Sequence, residues 1–452
     1  MKIGLLPLAR PTFDVAFAQE KLKAMLGVLK ASGHTLIGPE DLLMEADPRH
    51  LDALAEVDLL LVLQVTFTDA AFVADAARRG IPIAIWAVPE PRLGGRLRLN
   101  AFCGLNLASH ALSRNKIPFG WLYADPQADE TPADLEALLA GRRQVHPIAG
   151  TRPEITPEPW PVPDLKIARI GAHPEGFDTC AYDRDDLANL TGASVTEMTL
   201  DPLFERARHL PESAIGPYRE KADLLPNVDE MDAGELDRSL RLAGALEAMR
   251  KEGGFDAFAI RCWPETFTEY GGAVCGPVSM MGEARVPCAC EADVYGAVSQ
   301  ALLQNVSDAP VFLADLVDMD TGDDTGVVWH CGQAPVSMTV ETPRATVHTN
   351  RKQALLFEFA LKPGRVTFLR LSQAFGTPRI IIATGEILAR DMAFTGTSGV
   401  VRFDHGAEAV LRDIMDSGLE HHMALAYGDH AERLRAIGAG LDLPVIELGA
   451  AQ

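Results

Sequence analysis

The sequence lacks several features that would place it in large classes of proteins. Basic residues are in the minority: 41 Lys and Arg stand against 63 Asp and Glu, which gives a net charge of −22. Because nucleic-acid phosphates and anionic lipids repel so acidic a chain, we expect neither as a partner. No apolar run approaches the length of a membrane span. The first apolar run meets Arg10 and Pro11 too early for a signal peptide, so we expect a cytoplasmic protein.

Cysteine and glycine motifs are also missing. The seven cysteines are odd in number and include no C-x-x-C pair, a usage that suits a reducing cytoplasm. Cys288 and Cys290 are therefore expected to pack as small hydrophobic residues. The first turn, LARPTFDV, is not a glycine fingerprint, so the sequence predicts no dinucleotide cofactor.

The order of apolar segments predicts three domains. The 452 residues, 47% of them hydrophobic, are enough for two or three. The first third alternates short apolar runs with amphipathic stretches, as in a doubly wound parallel sheet, and a Pro-rich linker at 151–165 precedes a second such unit. Short β-type segments follow. We predict an α/β protein with Rossmann-like domains at 1–165 and 166–308 and a β-rich, mostly antiparallel, barrel-like domain at 309–452.

Two carboxylates stand out, on either side of a predicted helix. Asp315 lies in the apolar run VFLADL, where an isolated charge must be paired, protonated or bound to a metal. Glu291 lies in PCACEADVYG, at the predicted helix start. An acidic residue there also serves as a helix cap, an alternative that applies equally to Asp293.

Histidines in apolar segments complete a candidate metal site. His330 ends a predicted strand, and His421 and His422 lie in GLEHHMALAYGD. Carboxylates with neutral imidazoles suit Mn²⁺ or Mg²⁺ better than a thiolate-rich zinc site does. The alternative is that each histidine is a structural residue with satisfied hydrogen bonds. Side chains alternate along a strand, so we expect only one of the consecutive pair to reach an ion, leaving the other for the second shell or the substrate.

Two further segments have the composition of ligand sites. Arg261, Trp263 and Glu265 follow a predicted parallel strand, at the end where open α/β sheets bind ligands; alternatively, they form an exposed loop. The second segment, at 92–106, carries cations suited to an anion or to sugar hydroxyls. Its alternative is a solvated basic loop. The candidate residues of this second segment are Arg92, Arg96, Arg98 and Asn100.

Taken together, these motifs resemble one family. FAIRCWPE, PCACEADVYGAV, FLAD, WHCG followed by PVSM, and the final HHMALAYGD are similar to segments of the L-fucose isomerase and L-arabinose isomerase superfamily. The resemblance covers most of the chain. It implies two Rossmann-like domains and a β-rich C-terminal domain, a homo-hexamer with sites at subunit interfaces, and Mn²⁺-dependent interconversion of an aldose and a ketose.

The resemblance also implies residue roles. Glu291 and Asp315 would be metal ligands and the acid/base pair, His422 the histidine ligand, and His330 a fourth ligand in the arabinose-isomerase pattern. The chain is shorter than fucose isomerases and looks similar to sulfoquinovose isomerases, whose substrate carries a sulfonate. Arg or amide donors would bind that group, and the 92–106 loop is a candidate source of them, either within one subunit or across a subunit interface.

The predicted reaction moves a proton between two neighbouring carbons through an enediolate. One carboxylate would act as base on carbon while the other handles the oxygens or the second carbon, in an order that the sequence leaves open. Two other functions fit the same features. Paired α/β domains also form non-catalytic sugar-binding proteins, and metal-dependent aldolases or epimerases stabilise the same enediolate.

Overall fold

The computed structural model describes residues 1–450, and its first part is a five-stranded parallel sheet in the order β2-β1-β3-β4-β5. Its central strands are buried along almost their whole length, which explains their nearly continuous apolar sequences. Asp14 begins the first helix, where its side chain accepts the Phe17 N–H. The strands are β1 (Lys2–Leu8), β2 (Thr35–Ile37), β3 (Leu59–Gln64), β4 (Ile83–Ala87) and β5 (Phe119–Tyr123), and the helices are α1 (Val15–Ala31), α2 (Pro48–Asp52), α3 (Ala71–Ala77), α4 (Ala101–Arg114) and α5 (Thr131–Leu139).

The Pro-rich segment at 151–165 contains no helix and only one isolated bridge, in which Thr151 pairs with Val445 near the other end of the chain. The backbone N–H of Glu158 also donates to the Ala436 carbonyl. Proline removes backbone donors, so an extended path with few backbone hydrogen bonds follows from this composition. The segment therefore packs along the C-terminal part of the chain.

A second parallel sheet follows, with four strands in the order β7-β6-β8-β9. Its longest helix begins at Asp232, whose side chain accepts the Glu235 N–H, and ends at Gly254 in the left-handed conformation. The strands are β6 (Lys166–Ile170), β7 (Ser194–Met198), β8 (Ala257–Ile260) and β9 (Cys288–Ala289), and the helices are α6 (Arg184–Thr191), α7 (Asp201–His209), α8 (Glu212–Ala222), α9 (Ala233–Gly253), α10 (Cys275–Glu283) and α11 (Val294–Ser307).

The last part is a nine-stranded mixed sheet in which most neighbours are antiparallel. The order is β12-β13-β16-β11-β10-β17-β14-β15-β18, with β13–β16 and β15–β18 parallel and with β15 also paired to β16. The strands are β10 (Phe312–Asp320), β11 (Thr325–His330), β12 (Arg344–Thr346), β13 (Leu356–Ala360), β14 (Gly364–Ser372), β15 (Arg379–Ile387), β16 (Thr397–Phe403), β17 (His422–Tyr427) and β18 (Val445–Glu447), and the helices are α12 (Ala407–Ser417) and α13 (Ala431–Gly440).

This architecture confirms the predicted mixed α/β class, with parallel sheets followed by a large, mostly antiparallel one. Helix α11 packs against β8 of the second sheet and against β14 and β17 of the third, while α4 of the first part packs against β10. Residues that follow the carboxyl ends of β1, β3, β8 and β9 line one cavity together with residues of β10 and β11 and the residue before β17. Among residues 1–450, no helix has both the length and the apolar composition needed to cross a membrane.

Candidate active site

A cavity of about 110 Å³ lies where the three sheets meet. Loops at the carboxyl ends of parallel strands form one side of it, which is the usual place for ligands in open α/β sheets. A larger surface hollow, of about 660 Å³ beside Pro163 and Arg285, lies apart from the carboxylates and histidines predicted from the sequence. The cavity is lined by Arg10, Thr12, Phe13, Phe67, Leu97, Asn100, Cys262, Trp263, Phe267, Cys275, Glu291, Asp315, Trp329, His330, Cys331, His348, Thr349, Asn350, Arg351 and His421.

Glu291 reaches this cavity from a short turn between β9 and α11. Its backbone is left-handed, with φ 56° and ψ 24°, and Ala292 beside it also has a positive φ of 57°. Such conformations are unfavourable for residues with a Cβ and are concentrated at functional sites. The cap of α11 is Asp293, which accepts the Gly296 N–H at 2.8 Å. The helix-cap alternative for Glu291 was therefore wrong.

The Glu291 carboxylate is held in its ionised form. The indole Nε1 of Trp263 donates to Oε1 at 3.0 Å, and Nε2 of His421 donates to Oε2 at 2.9 Å. Burial raises the pKa of Glu291, but the His421 hydrogen bond, the charges of His421 and His422 and the Trp263 hydrogen bond outweigh it, and the pKa falls to about 2. Glu291 is therefore a carboxylate at neutral pH.

His422 is oriented by a buried carboxylate behind it. Its Nδ1 donates to Asp293 at 3.0 Å, and Asp293 in turn binds Arg370 through both carboxylate oxygens. Burial raises the pKa of Asp293, but Arg370 and His422 lower it by more than burial raises it. The pKa of Asp293 therefore lies below its usual value. With its proton on Nδ1, His422 presents the Nε2 lone pair, the orientation that carboxylates impose on metal-binding histidines.

Asp315 faces that lone pair. Its Oδ1 lies 3.4 Å from His422 Nε2, and Glu291 Oε2 lies 3.8 Å from the same nitrogen. Within residues 1–450, neither Asp315 Oδ1 nor His422 Nε2 has a hydrogen-bond partner, although both are buried. Buried polar atoms without partners are uncommon and call for an explanation. A cation bound between them would provide the missing partner for both atoms.

The donor atoms fit a hard divalent ion. One group joins Cys180, Glu291, His421 and His422, another joins Asp315, His330 and His422, and the donor atoms in each lie within 4.8 Å of one another. Burial raises the pKa of the Cys180 thiol well above its usual value, and the charges of nearby carboxylates add to this. Cys180 is therefore a neutral thiol, so oxygen and imidazole donors remain, the set that suits Mn²⁺ or Mg²⁺.

Both consecutive histidines lie on the Glu291 side. Their ring centroids are 3.8 Å apart, and both approach Glu291 Oε2. The expectation that His421 and His422 face opposite sides of a strand was therefore wrong. Strand β17 begins only at His422, and His421 lies in the preceding bend, where the alternation of side chains does not apply.

His330 lies at the end of β11, with its ring centroid 5.7 Å from that of His422. Its Nδ1 accepts the backbone N–H of Cys331 at 2.9 Å. A neutral imidazole that accepts through Nδ1 carries its proton on Nε2. In this arrangement His330 presents a hydrogen-bond donor near Asp315 rather than a lone pair.

Of the predicted group after β8, only Trp263 lines the cavity. Arg261 donates to Glu265 at 2.7 Å and to the carbonyl oxygens of Ala172 and His173. Arg261 and Glu265 are thus paired with each other beside the site, and neither is among the cavity-lining residues.

The 92–106 segment contributes Leu97 and Asn100 to the cavity lining, and of its four candidate residues only Asn100 does so. Arg92 donates to Asp318 at 2.6 Å, and Arg98 donates to Asp14 at 2.9 Å. Arg96 donates to the Thr12 carbonyl and to the Asn350 side chain, at 3.0 and 3.3 Å. The cations of this loop therefore hold neighbouring segments of the chain together.

Sequence reasoning missed several cavity residues. Arg10 follows the first parallel strand at its carboxyl end, a position that could have drawn attention to it. Arg351 and His348 lie in a turn between β12 and β13 that has no local motif, and only the folded chain brings them to the site.

Comparisons with known proteins identify the family of this chain. Residues 4–148 match the family model described as fucose/sulfoquinovose isomerase, N-terminal domain, and residues 329–449 match L-fucose isomerase, C-terminal domain. The sulfoquinovose isomerase of Alkalicoccus urumqiensis is 33% identical, over 98% of this chain and 99% of that protein. That of Priestia megaterium is 31% identical, over 97% of each. The chain belongs to the fucose/sulfoquinovose isomerase family and is an aldose–ketose isomerase.

Proposed function

We propose that this isomerase interconverts sulfoquinovose and its ketose, sulfofructose, through an enediolate, with Mn²⁺ or Mg²⁺ held by Glu291, Asp315 and His422. The similarity of almost the whole chain to sulfoquinovose isomerases supports the choice of substrate. The main support for the metal site comes from two buried atoms, Asp315 Oδ1 and His422 Nε2. They face each other, and neither has a hydrogen-bond partner among the described residues.

The side chains around these ligands have separate tasks. A metal bound there would stabilise the negative charge that develops on the sugar oxygens. Glu291, held as a carboxylate by Trp263 and His421, and Asp315 are the two groups that move protons to and from the substrate. His330, predicted as a fourth ligand, instead donates from Nε2 to a substrate oxygen, because its Nδ1 accepts the Cys331 N–H.

Turnover with and without the metal tests the function. Wild-type enzyme treated with chelator should isomerise sulfoquinovose only after Mn²⁺ or Mg²⁺ is restored, and product formed in D₂O should contain solvent deuterium. Complete retention of the substrate hydrogen would indicate a hydride shift instead of an enediolate intermediate. Carbon–carbon cleavage or a changed hydroxyl configuration would identify an aldolase or an epimerase. Sugar binding without any turnover would overturn the proposed isomerisation of sulfoquinovose.

Two variants in one strand test the roles of the carboxylates. Asp315→Asn should abolish turnover. Asp318→Asn, three residues further along β10, should retain it, because Asp318 is bound by Arg92 and Tyr123 and does not line the cavity. Glu291→Gln should likewise abolish turnover. Near-normal activity of either Asp315→Asn or Glu291→Gln would contradict the assignment.

We also propose the finer architecture predicted from the sequence. Rossmann-like domains at 1–165 and 166–308 are supported by the two parallel sheets, and a barrel-like domain at 309–452 is supported by the extra pairing of β15 with β16. Expression of residues 309–452 alone tests the last boundary: a cooperative thermal unfolding transition supports it, and an unfolded fragment contradicts it.

A homo-hexamer in the cytoplasm, with active sites near subunit interfaces, completes the proposal. Leu93 and Val340, each 79% exposed, line one surface hollow of about 1010 Å³, and exposed apolar side chains that lie together are typical of subunit contacts. Light scattering of the purified protein measures the subunit number, and a monomer that is fully active would contradict this assembly.

A further inference from the structure

The cavity contains two guanidinium groups that the proposed chemistry does not use. The Arg10 guanidinium carbon lies 5.5 Å from the centre of the Trp263 ring, and that of Arg351 lies 5.9 Å from it. Arg10 also donates to Asp69 at 2.9 Å. Among the described residues, the Arg351 side chain has neither an ion pair nor a hydrogen bond, and its guanidinium group lies over the Trp263 ring.

The positive charges of Arg10 and Arg351 repel each other, because both side chains line the same cavity. Burial lowers the pKa of Arg351, and the positive charge of Arg10 lowers it further. A partly buried charge is normally paired, because losing water without gaining a partner costs free energy. The missing partner of Arg351 is therefore expected to be an anion.

The turn that carries Arg351 is held in place from two sides. His348 Nδ1 accepts the backbone N–H groups of Asn350 and Arg351, each at 3.2 Å, and Arg96 donates to the Asn350 side chain. His348 is half-buried and its pKa is lowered to about 3, first by desolvation and then by Arg351, so the ring remains a neutral acceptor. A backbone fixed in this way gives Arg351 a defined position in the cavity.

The Trp263 side chain contacts both these cations and the metal-ligand cluster. Trp263 separates them from the metal-ligand cluster: its Nε1 edge donates to Glu291, and its face lies beside both guanidinium groups. We propose that Arg10 and Arg351 bind the sulfonate of the substrate while its carbonyl end lies at Glu291 and Asp315. This inference rests on the proposed function, and it assigns specificity to two residues outside the 92–106 loop.

The charge of the subsite favours a monoanion. Two guanidinium groups and the Asp69 carboxylate leave a net charge of one positive unit. A sulfonate carries one negative charge, whereas a phosphate monoester carries nearly two at neutral pH. A sugar phosphate shares the same anionic chemistry, so the test includes glucose 6-phosphate as a separate arm.

Binding measurements test the subsite without requiring turnover. Calorimetry of the full-length protein with Mn²⁺ should give a Kd for sulfoquinovose at least about tenfold lower than for the neutral 6-deoxyglucose, in line with charge-assisted hydrogen bonds. Arg351→Gln should bring the two Kd values within about twofold of each other and leave the Kd of the neutral sugar unchanged. Retained discrimination by Arg351→Gln would overturn the proposal.

Lys352→Gln is the matched control. It removes one positive charge from the next residue of the same turn, whose side chain is exposed and does not line the cavity. Lys352→Gln should keep the wild-type ratio of the Kd values for sulfoquinovose and 6-deoxyglucose. If both variants lose this ratio equally, the preference is a general effect of net charge and the proposed subsite is wrong. Tighter binding of glucose 6-phosphate than of sulfoquinovose would overturn the sulfonate assignment.

Kinetics separates this inference from the proposed function. In Arg351→Gln, KM for sulfoquinovose should rise about 10- to 100-fold with kcat within about threefold of wild type. If wild-type protein binds sulfoquinovose selectively through Arg351 but never isomerises it, the subsite stands and the isomerase proposal fails. If it isomerises sulfoquinovose with no dependence on Arg351, the isomerase proposal stands and the subsite fails.

Discussion

Asp315→Asn should make the metal-free protein more stable while it abolishes catalysis. Asp315 is 8% exposed, and its Oδ1 has no hydrogen-bond partner among residues 1–450. A buried acceptor without a partner costs about 1–3 kcal/mol, and an asparagine amide placed there can donate to the free Nε2 of His422, 3.4 Å away. We therefore expect the free energy of unfolding to rise by about 1–2 kcal/mol, since residues kept for function often lower stability.

The assay is thermal unfolding with and without metal. In chelator, Asp315→Asn should unfold at a temperature about 2 °C above wild type. Adding Mn²⁺ at about 100 times its Kd should stabilise wild type by about 2.7 kcal/mol and should leave Asp315→Asn nearly unchanged. Turnover of the variant should fall below detection.

Asp318→Asn is the matched control for this prediction. Asp318 is buried in the same strand, but Arg92 and Tyr123 donate to its carboxylate. Weakening a buried ion pair is destabilising, here by about 3 kcal/mol, while the stabilisation by Mn²⁺ should persist. A less stable Asp315→Asn in chelator, or one that is still stabilised by Mn²⁺, would refute the reasoning.

Three further predictions follow from the same contacts. Asp293→Ala removes the acceptor that orients His422, so isothermal titration should show Mn²⁺ affinity reduced about 10- to 100-fold, and an unchanged Kd would contradict that role. The folded-state pKa of His348 is about 3 against about 6.5 when unfolded, so below pH 6.5 only the unfolded chain takes up this proton. Between pH 7 and pH 5, wild type should therefore lose about 2 kcal/mol that His348→Gln keeps, as measured by urea unfolding; equal losses would refute it. Arg92→Gln removes the ion pair with Asp318, so it should lower the unfolding temperature and leave KM unchanged. A raised KM would contradict this and indicate that Arg92 binds the substrate.

Much of the fold could be predicted because local patterns carry it. Strands such as β3 and β4 are buried along their length and need a nearly continuous apolar sequence. Helix α1 follows Asp14, a residue type that commonly caps helices. The spatial neighbours of the strands were not predictable in the same way. Pairing of Thr151 with Val445, for example, depends on packing between distant parts of the chain.

The sequence by itself determined which residues stand out chemically. These are the Asp315 carboxylate in an apolar strand, the Glu291 carboxylate, and the histidines in buried segments. Desolvation explains why these were recognisable, since a charge among apolar neighbours needs a specific partner. The tertiary structure decided which of them meet. It assigned the helix cap to Asp293 rather than Glu291 and brought both His421 and His422 to Glu291.

The tertiary structure alone decided which arginine side chains have no carboxylate partner. The arginines of the 92–106 loop appeared suited to an anion, yet their partners include Asp14 and Asp318, residues far away in the sequence. Arg351, in a turn without a motif, is left facing the cavity. Residue types follow from the sequence, but pairing depends on distances of a few ångströms between distant segments, and packing of the whole chain sets those distances.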